Sequence, residues 1–209
     1  MAIDDLPDEH EQGERVRTWL RENGLGILAG IVVAFGLVGG WRWWQGNQHA
    51  QRVEAGMTYQ RMVADLASGD LADAQRQVGA LQGGSYGVLA ALELARAQVQ
   101  AGERDAAIQT LQGADASDLA LEPIRRQRLG QLLIDAARAE EAVALLRDAS
   151  DATSLETLGD AHAALDQTAE AREAYARALA QTDVASPGRG LIEIKLAAAG
   201  GEPTPNEAS

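Results

Sequence analysis

The side chains of this 209-residue chain that could do chemistry are few and scattered. Its histidines are His10, His49 and His162, and no two share the i, i+4 spacing that puts a pair of imidazoles on one helix face to hold a metal. There is no cysteine, which removes disulfides, thiol nucleophiles, thiolate metal sites and a lipid-modified Cys anchor. No G-x-S-x-G elbow and no Walker loop occurs. Glu140-Glu141 and the pair Asp148 and Asp151 are neighbouring carboxylates, but a solvated helical face accounts for them without general acid–base work. The expectation is a non-enzyme with no cofactor, no metal and no small-molecule substrate. Function then rests on the surfaces that the elements present.

The first such element is a run from Gly24 to Trp41, GLGILAGIVVAFGLVGGW, with no charged residue and no Asn, Gln or His. A bilayer core takes roughly 20 mostly apolar helical residues. A cleaved signal has a basic start and a shorter apolar core ending in a small-x-small site. Here the preceding head is acidic, and the run ends in Gly-Gly-Trp-Arg-Trp-Trp. An uncleaved anchor over 24–44 is therefore preferred to a signal peptide or a buried core helix. Trp19 on one side and Trp41, Arg42, Trp43 and Trp44 on the other suit the two headgroup belts. Arg15, Arg17 and Arg21 before the run balance Arg42, Arg52 and Arg61 after it, so the positive-inside rule leaves orientation open. Gly26-x-x-x-Gly30 and Gly36-x-x-x-Gly40 form small-xxx-small pairs that could let a second helix approach, although glycine is common in membrane helices and the pattern is weak.

The formal net charge is -13. The head contributes -4, Arg42 +1 and the remainder -10, with Lys195 the only lysine in the chain. An acidic domain without a basic stripe repels phosphate backbones, so no nucleic-acid partner is expected. Abundant alanine and few aromatic residues favour closely packed helices over strands.

After Trp44 helix-turn-helix units recur. Gly159 and His162 are followed by Ala171, Tyr175 and Ala178; Gly130 by Ala142, Leu146 and Ala149; Ala95 by Ala107, Leu111 and Ala114. A weaker first unit holds Gly69, Ala74, Val78 and Leu81, and the key alanines 74, 107, 142 and 171 are 33, 35 and 29 residues apart. The pattern resembles the tetratricopeptide repeat, a helix pair of about 34 residues. Small residues on the two helices would sit where they cross, and Leu111, Leu146 and Tyr175 would fill the gap to the next pair. The short step of 29 requires one trimmed turn or helix. Leu191, Ile192, Ile194 and Leu196 fit one further helix covering the end of the solenoid. The expected architecture is all-α: a head over 1–23, a transmembrane helix over 24–44, about four helix pairs with a capping helix over 45–199, and a disordered tail over 200–209.

Val16-Arg17-x-Trp19-Leu20-x-Glu22-Asn23-Gly24, Gly39-Gly40-Trp41-Arg42-Trp43-Trp44, the stretch Tyr86 to Ala95 and the closing helix around Glu193-Ile194-Lys195 together resemble the YfgM family of bacterial inner-membrane proteins. The resemblance implies a single-pass ancillary subunit of the Sec translocon with a cytoplasmic N-terminus and a periplasmic repeat domain. Implied partners are membrane-embedded translocon subunits, a membrane-anchored prolyl-isomerase-like chaperone, and periplasmic chaperones or emerging polypeptides. A second implied role is restraint of an envelope-stress response regulator. That alternative would place the key contacts on the head segment 14–22, with Val16, Trp19 and Leu20.

Overall fold

The computed structural model describes residues 9–81, 83–114 and 118–202. Residues 1–8 of the expected head and 203–209 of the expected tail lie outside them. Among the described residues every regular element is an α-helix, in the order α1 (Glu9–Ser68), α2 (Leu71–Ala80), α3 (Gly84–Gln100), α4 (Arg104–Gln112), α5 (Glu122–Asp135), α6 (Ala139–Leu146), α7 (Ala152–Ala164), α8 (Thr168–Ala180) and α9 (Arg189–Ala198). The chain divides into two units, Met1–Glu54 and Ala55–Ser209.

The described part of the first unit is α1 alone. Its most apolar stretch has mean hydropathy 2.0 and is uncovered by protein, so this helix is long and apolar enough to cross a membrane. The rings of Trp41 and Trp44 stack 5.4 Å apart at an angle of 43°. A Cβ built at Gly26, Gly30, Gly36 or Gly40 meets no other atom within 4 Å.

The second unit is a tetratricopeptide-like stack. The end of α1 shares a core with α2 and α3, α3 pairs with α4, α5 with α6 and α7 with α8, and α9 covers the last pair. The first helix of each pair (A) ends in a left-handed residue, at Gly69, Gly102, Ala137 and Asp166, and Gly200 repeats the turn after α9. These positions are 33, 35, 29 and 34 residues apart, so the turns keep the register of the key alanines. The residue after each sends its N–H back five residues in the manner of a Schellman motif, as in Glu103 to the Gln98 carbonyl (2.8 Å) and Arg138 to the Leu133 carbonyl (2.8 Å). The second helix of each pair (B) then starts two residues past the turn. The short step is taken up mainly after α6 (Ala139–Leu146), where only residues 147–151 lead to α7, against 113–121 between α4 and α5.

The cores are small. Ala74, Ala107, Ala142 and Ala171 are 0–1% exposed. A Cβ at Gly159 would lie 2.5 Å from Tyr175 Cδ1, and one at Gly130 would lie 2.7 Å from Leu146 Cδ1. Leu146 and Tyr175 therefore press on the glycine of their own pair. They also reach the next element, Leu146 beside Leu158 and Ala174, and Tyr175 in one cluster with Ile192 and Leu196. The gap-filling role expected of them toward the next pair is only half of what they do. Toward the end of α1, Met62 is fully buried, whereas Val53, Met57 and Val63 are exposed.

Four arginines tie off the last turns of B helices, at α4 and α6, or the chain just past them, after α6 and α8. Arg125 Nη1 donates to the Leu111 carbonyl (2.6 Å) while its Nε and Nη2 grip Glu122. Arg126 donates to the Leu145 carbonyl, Arg177 to the Ala149 carbonyl (3.1 Å), and Arg189 to the Thr182 carbonyl (3.1 Å). Last-turn carbonyls lack intrahelical partners and carry the negative end of the helix dipole, so a guanidinium satisfies both.

Candidate protein-docking groove

The A helices α3 and α5 flank a groove of about 590 Å³. Its floor is apolar, from Leu92, Leu111 and Leu132, and its rims carry Glu93, Arg96, Arg128 and Asp135. Val99 and Ile124 face it while 40% and 46% exposed. Helix packing places them there: the faces of α3 and α5 that hold Leu94 and Leu129 are buried inward, which turns the opposite positions outward. Arg96 Nη1 is 3.5 Å from Glu93 Oε2, and Arg128 donates to Gln131 (3.2 Å), so neither cation is locked in a buried pair. An apolar floor rimmed by charges of both signs suits weak, multi-residue contact with a polypeptide. It offers no nucleophile beside a base.

A tight cluster of ionisable groups lies at the other end of the stack. Lys195 Nζ on α9 donates to Glu156 Oε1 (2.6 Å) and Asp160 Oδ2 (2.8 Å), and the Tyr175 hydroxyl donates to Asp160 Oδ1 (2.8 Å). Burial pulls the Lys195 pKa down, but its hydrogen bonds to Asp160 and Glu156 outweigh this and leave it raised. Burial, then Asp160, pushes the Tyr175 hydroxyl well above its ordinary range. Every polar contact named here joins α9 or α8 to α7, which makes the cluster a latch.

The small packing residues are drawn from several cores. Ala95, Ala107 and Ala142 share one cluster, Ala149, Ala171, Tyr175 and Ala178 a second, and Ala74 lies in a third. Ala114 and Ala149 lie past the last turns of α4 and α6. His162 is half-buried with Nδ1 2.6 Å from Gln167 Oε1. Among the described residues no cluster of His, Asp and Glu could hold a metal. Two features escaped sequence reasoning. Met62 takes the place of the small A-helix residue in the first unit, legible from the constant step of 12 that links Ala95 to Ala107, Gly130 to Ala142 and Gly159 to Ala171. The groove residues Val99 and Ile124 carry no periodic mark, because they are apolar at positions the core does not use.

The tetratricopeptide repeat-like domain family matches residues 17–201, from ahead of the apolar run to the last glycine of the fifth turn. The ancillary SecYEG translocon subunit of Escherichia coli (strain K12) is 33% identical over 143 residues, covering 66% of this chain and 69% of that protein. The chain belongs to the YfgM family. A further relative, the ancillary SecYEG translocon subunit of Aggregatibacter actinomycetemcomitans, is 25% identical over 198 residues, 90% of this chain and 96% of that protein. Among solved structures, "MamA MSR-1 C2" is similar at TM-score 0.46 and 19% identity, over 70% of this chain and 85% of that one. In this YfgM-family chain the helical repeat fold and the apolar N-terminal helix thus occur together.

Proposed function

We propose that this protein is a membrane-anchored, non-catalytic adaptor of the Sec translocon, with its head in the cytoplasm and its repeat unit in the periplasm of a bacterial inner membrane. The repeat unit takes up segments of emerging polypeptides in the groove between α3 and α5 and passes them to periplasmic chaperones, in company with a membrane-anchored prolyl-isomerase-like chaperone. The observation that carries this reading is the apolar-floored groove on a chain whose N-terminal helix is of membrane-spanning length. Fixing a binding surface in the membrane that holds a pore raises the local concentration of the emerging chain, so weak contacts suffice. The relatives named as ancillary SecYEG translocon subunits support the choice of pore.

Photocrosslinking in cells tests it. Probes replacing Gly26 and Gly30 are expected to capture a translocon subunit, and probes replacing Val99 and Ile124 to capture exported chains in transit. Capture of unrelated membrane proteins alone from the first pair, or of no exported chain from the second, would overturn the proposal.

A further inference from the structure

Five helices of the unit Ala55–Ser209 end in the same turn, but among the described residues only four of those turns lead into a B helix. The fifth is complete in itself: Gly200 is left-handed, and Gly201 N–H donates to the Leu196 carbonyl at 2.9 Å. This is the bond that Gln167 makes to His162 (2.9 Å) in the unit before. In the first four units the key alanine follows five residues after the left-handed position. Its N–H makes the first bond of the B helix, as in Ala107 to Glu103 (3.1 Å) and Ala171 to Gln167 (2.9 Å), and its side chain is 0–1% exposed.

In the fifth unit that register falls on Pro205, with Pro203 two residues before it. A proline has no N–H to start the ladder, and its ring would occupy a place that elsewhere admits only a methyl group. Pro205 therefore cannot make the bond that opens each of the other four B helices. The space for a fifth B helix is there. A cleft of about 570 Å³ is walled by Ala169, Arg172, Glu173 and Ala176 of α8 and by Leu196 and Gly201 at the end of α9.

We propose that this cleft accepts a helix supplied by a partner protein, which completes the fifth pair. Two properties of the walls define that helix. Ala169 and Ala176 are exposed and small, so a backbone can approach closely where the partner also has small residues. Glu170, Glu173 and Glu202 outnumber Arg172 along the rim, so the flanks of the partner helix are basic. The partner is therefore an amphipathic helix with an alanine- or glycine-rich face bordered by lysine or arginine. This site is separate from the groove between α3 and α5 and does not depend on it.

The probe is a labelled synthetic peptide with the α8 sequence Thr168–Gln181 in which Glu170 and Glu173 are replaced by lysine. It is titrated by fluorescence anisotropy into the full chain in neutral detergent. Saturable binding is expected, weakening as salt rises. In the protein, Ala176→Trp and, separately, Ala169→Trp fill the cleft from exposed positions and are each expected to weaken binding about tenfold or more. Reversing the rim with Glu170→Lys and Glu173→Lys is expected to weaken it about fivefold or more and flatten its salt dependence. Val99→Glu, in the other groove, is expected to leave it unchanged. Absence of saturable binding, or binding indifferent to both tryptophan variants, would overturn the proposal.

Discussion

Substitution of Gly159 by alanine tests the packing of the last helix pair. In isolation the change favours a helix by about 1 kcal/mol, because glycine carries the larger unfolded-state entropy. In place, the new methyl would lie 2.5 Å from Tyr175 Cδ1 and 2.9 Å from Cζ. The ring cannot swing away freely, since it is 4% exposed and its hydroxyl is fixed on Asp160 at 2.8 Å. Overpacking of this kind costs roughly 1–3 kcal/mol, and losing the hydroxyl bond adds about 1 kcal/mol or more. The net expectation is about 2 kcal/mol of destabilisation, or roughly 4–8 °C in Tm for a unit of this size. Thermal and urea unfolding of the full chain in detergent, followed by circular dichroism, measures it. Gly79→Ala is the control: that glycine is exposed within α2 and its added Cβ would meet nothing within 4 Å, so it is expected to stabilise by about 0.5–1 kcal/mol. In a Tyr175→Ala background, Gly159→Ala is expected to turn neutral or stabilising, which isolates the ring as the cause. Wild-type stability or better in the single variant, or an undiminished cost without the ring, would refute the reasoning.

Replacing Arg125 with leucine removes a guanidinium that is 7% exposed and leaves the Leu111 carbonyl and Glu122 short of partners, so a loss of about 2–3 kcal/mol is expected in the same assay. Ala137 holds the left-handed turn at φ 58°, which glycine adopts without the Cβ clash, and Ala137→Gly is expected to raise stability by about 0.5–1 kcal/mol in urea titrations. Lys195 and Tyr175 both hold their protons more tightly in the folded chain than in the unfolded one. Their contribution is therefore complete below about pH 10, the ordinary range of both groups, and is lost as pH climbs beyond it. Unfolding across pH 8–12 is expected to show this fall, and Lys195→Met and Tyr175→Phe each to make it shallower; an unchanged slope in both would remove the latch as its cause.

The sequence made the repeat legible because its alanines must sit where helices touch, and contact at 0–1% exposure tolerates few other side chains. Gly130 and Gly159 were readable for the same reason. The first unit was faint because a methionine, Met62, stands where the other units have glycine or alanine, and a flexible thioether fills that space without a periodic signature. The arginine ties at the helix ends were not legible. Arg125 and Arg177 reach 14 and 28 residues back along the chain to single carbonyl oxygens, and no local pattern encodes such a reach. The groove residues Val99 and Ile124 were hidden among core residues of the same type, since only packing separates an apolar residue facing in from one facing out.

The arginine ties between units all run one way. Arg125 on α5 holds the end of α4, Arg177 on α8 holds the chain leaving α6, and Arg189 at α9 holds the end of α8. The second, third and fourth pairs are thus each sealed by their successor and not by their predecessor. Damage that begins at α9 unseals α8, then bares the segment below it, and so unzips toward the anchor. A loss in an earlier pair leaves every later seal in place, so α9 sets the lifetime of the whole stack.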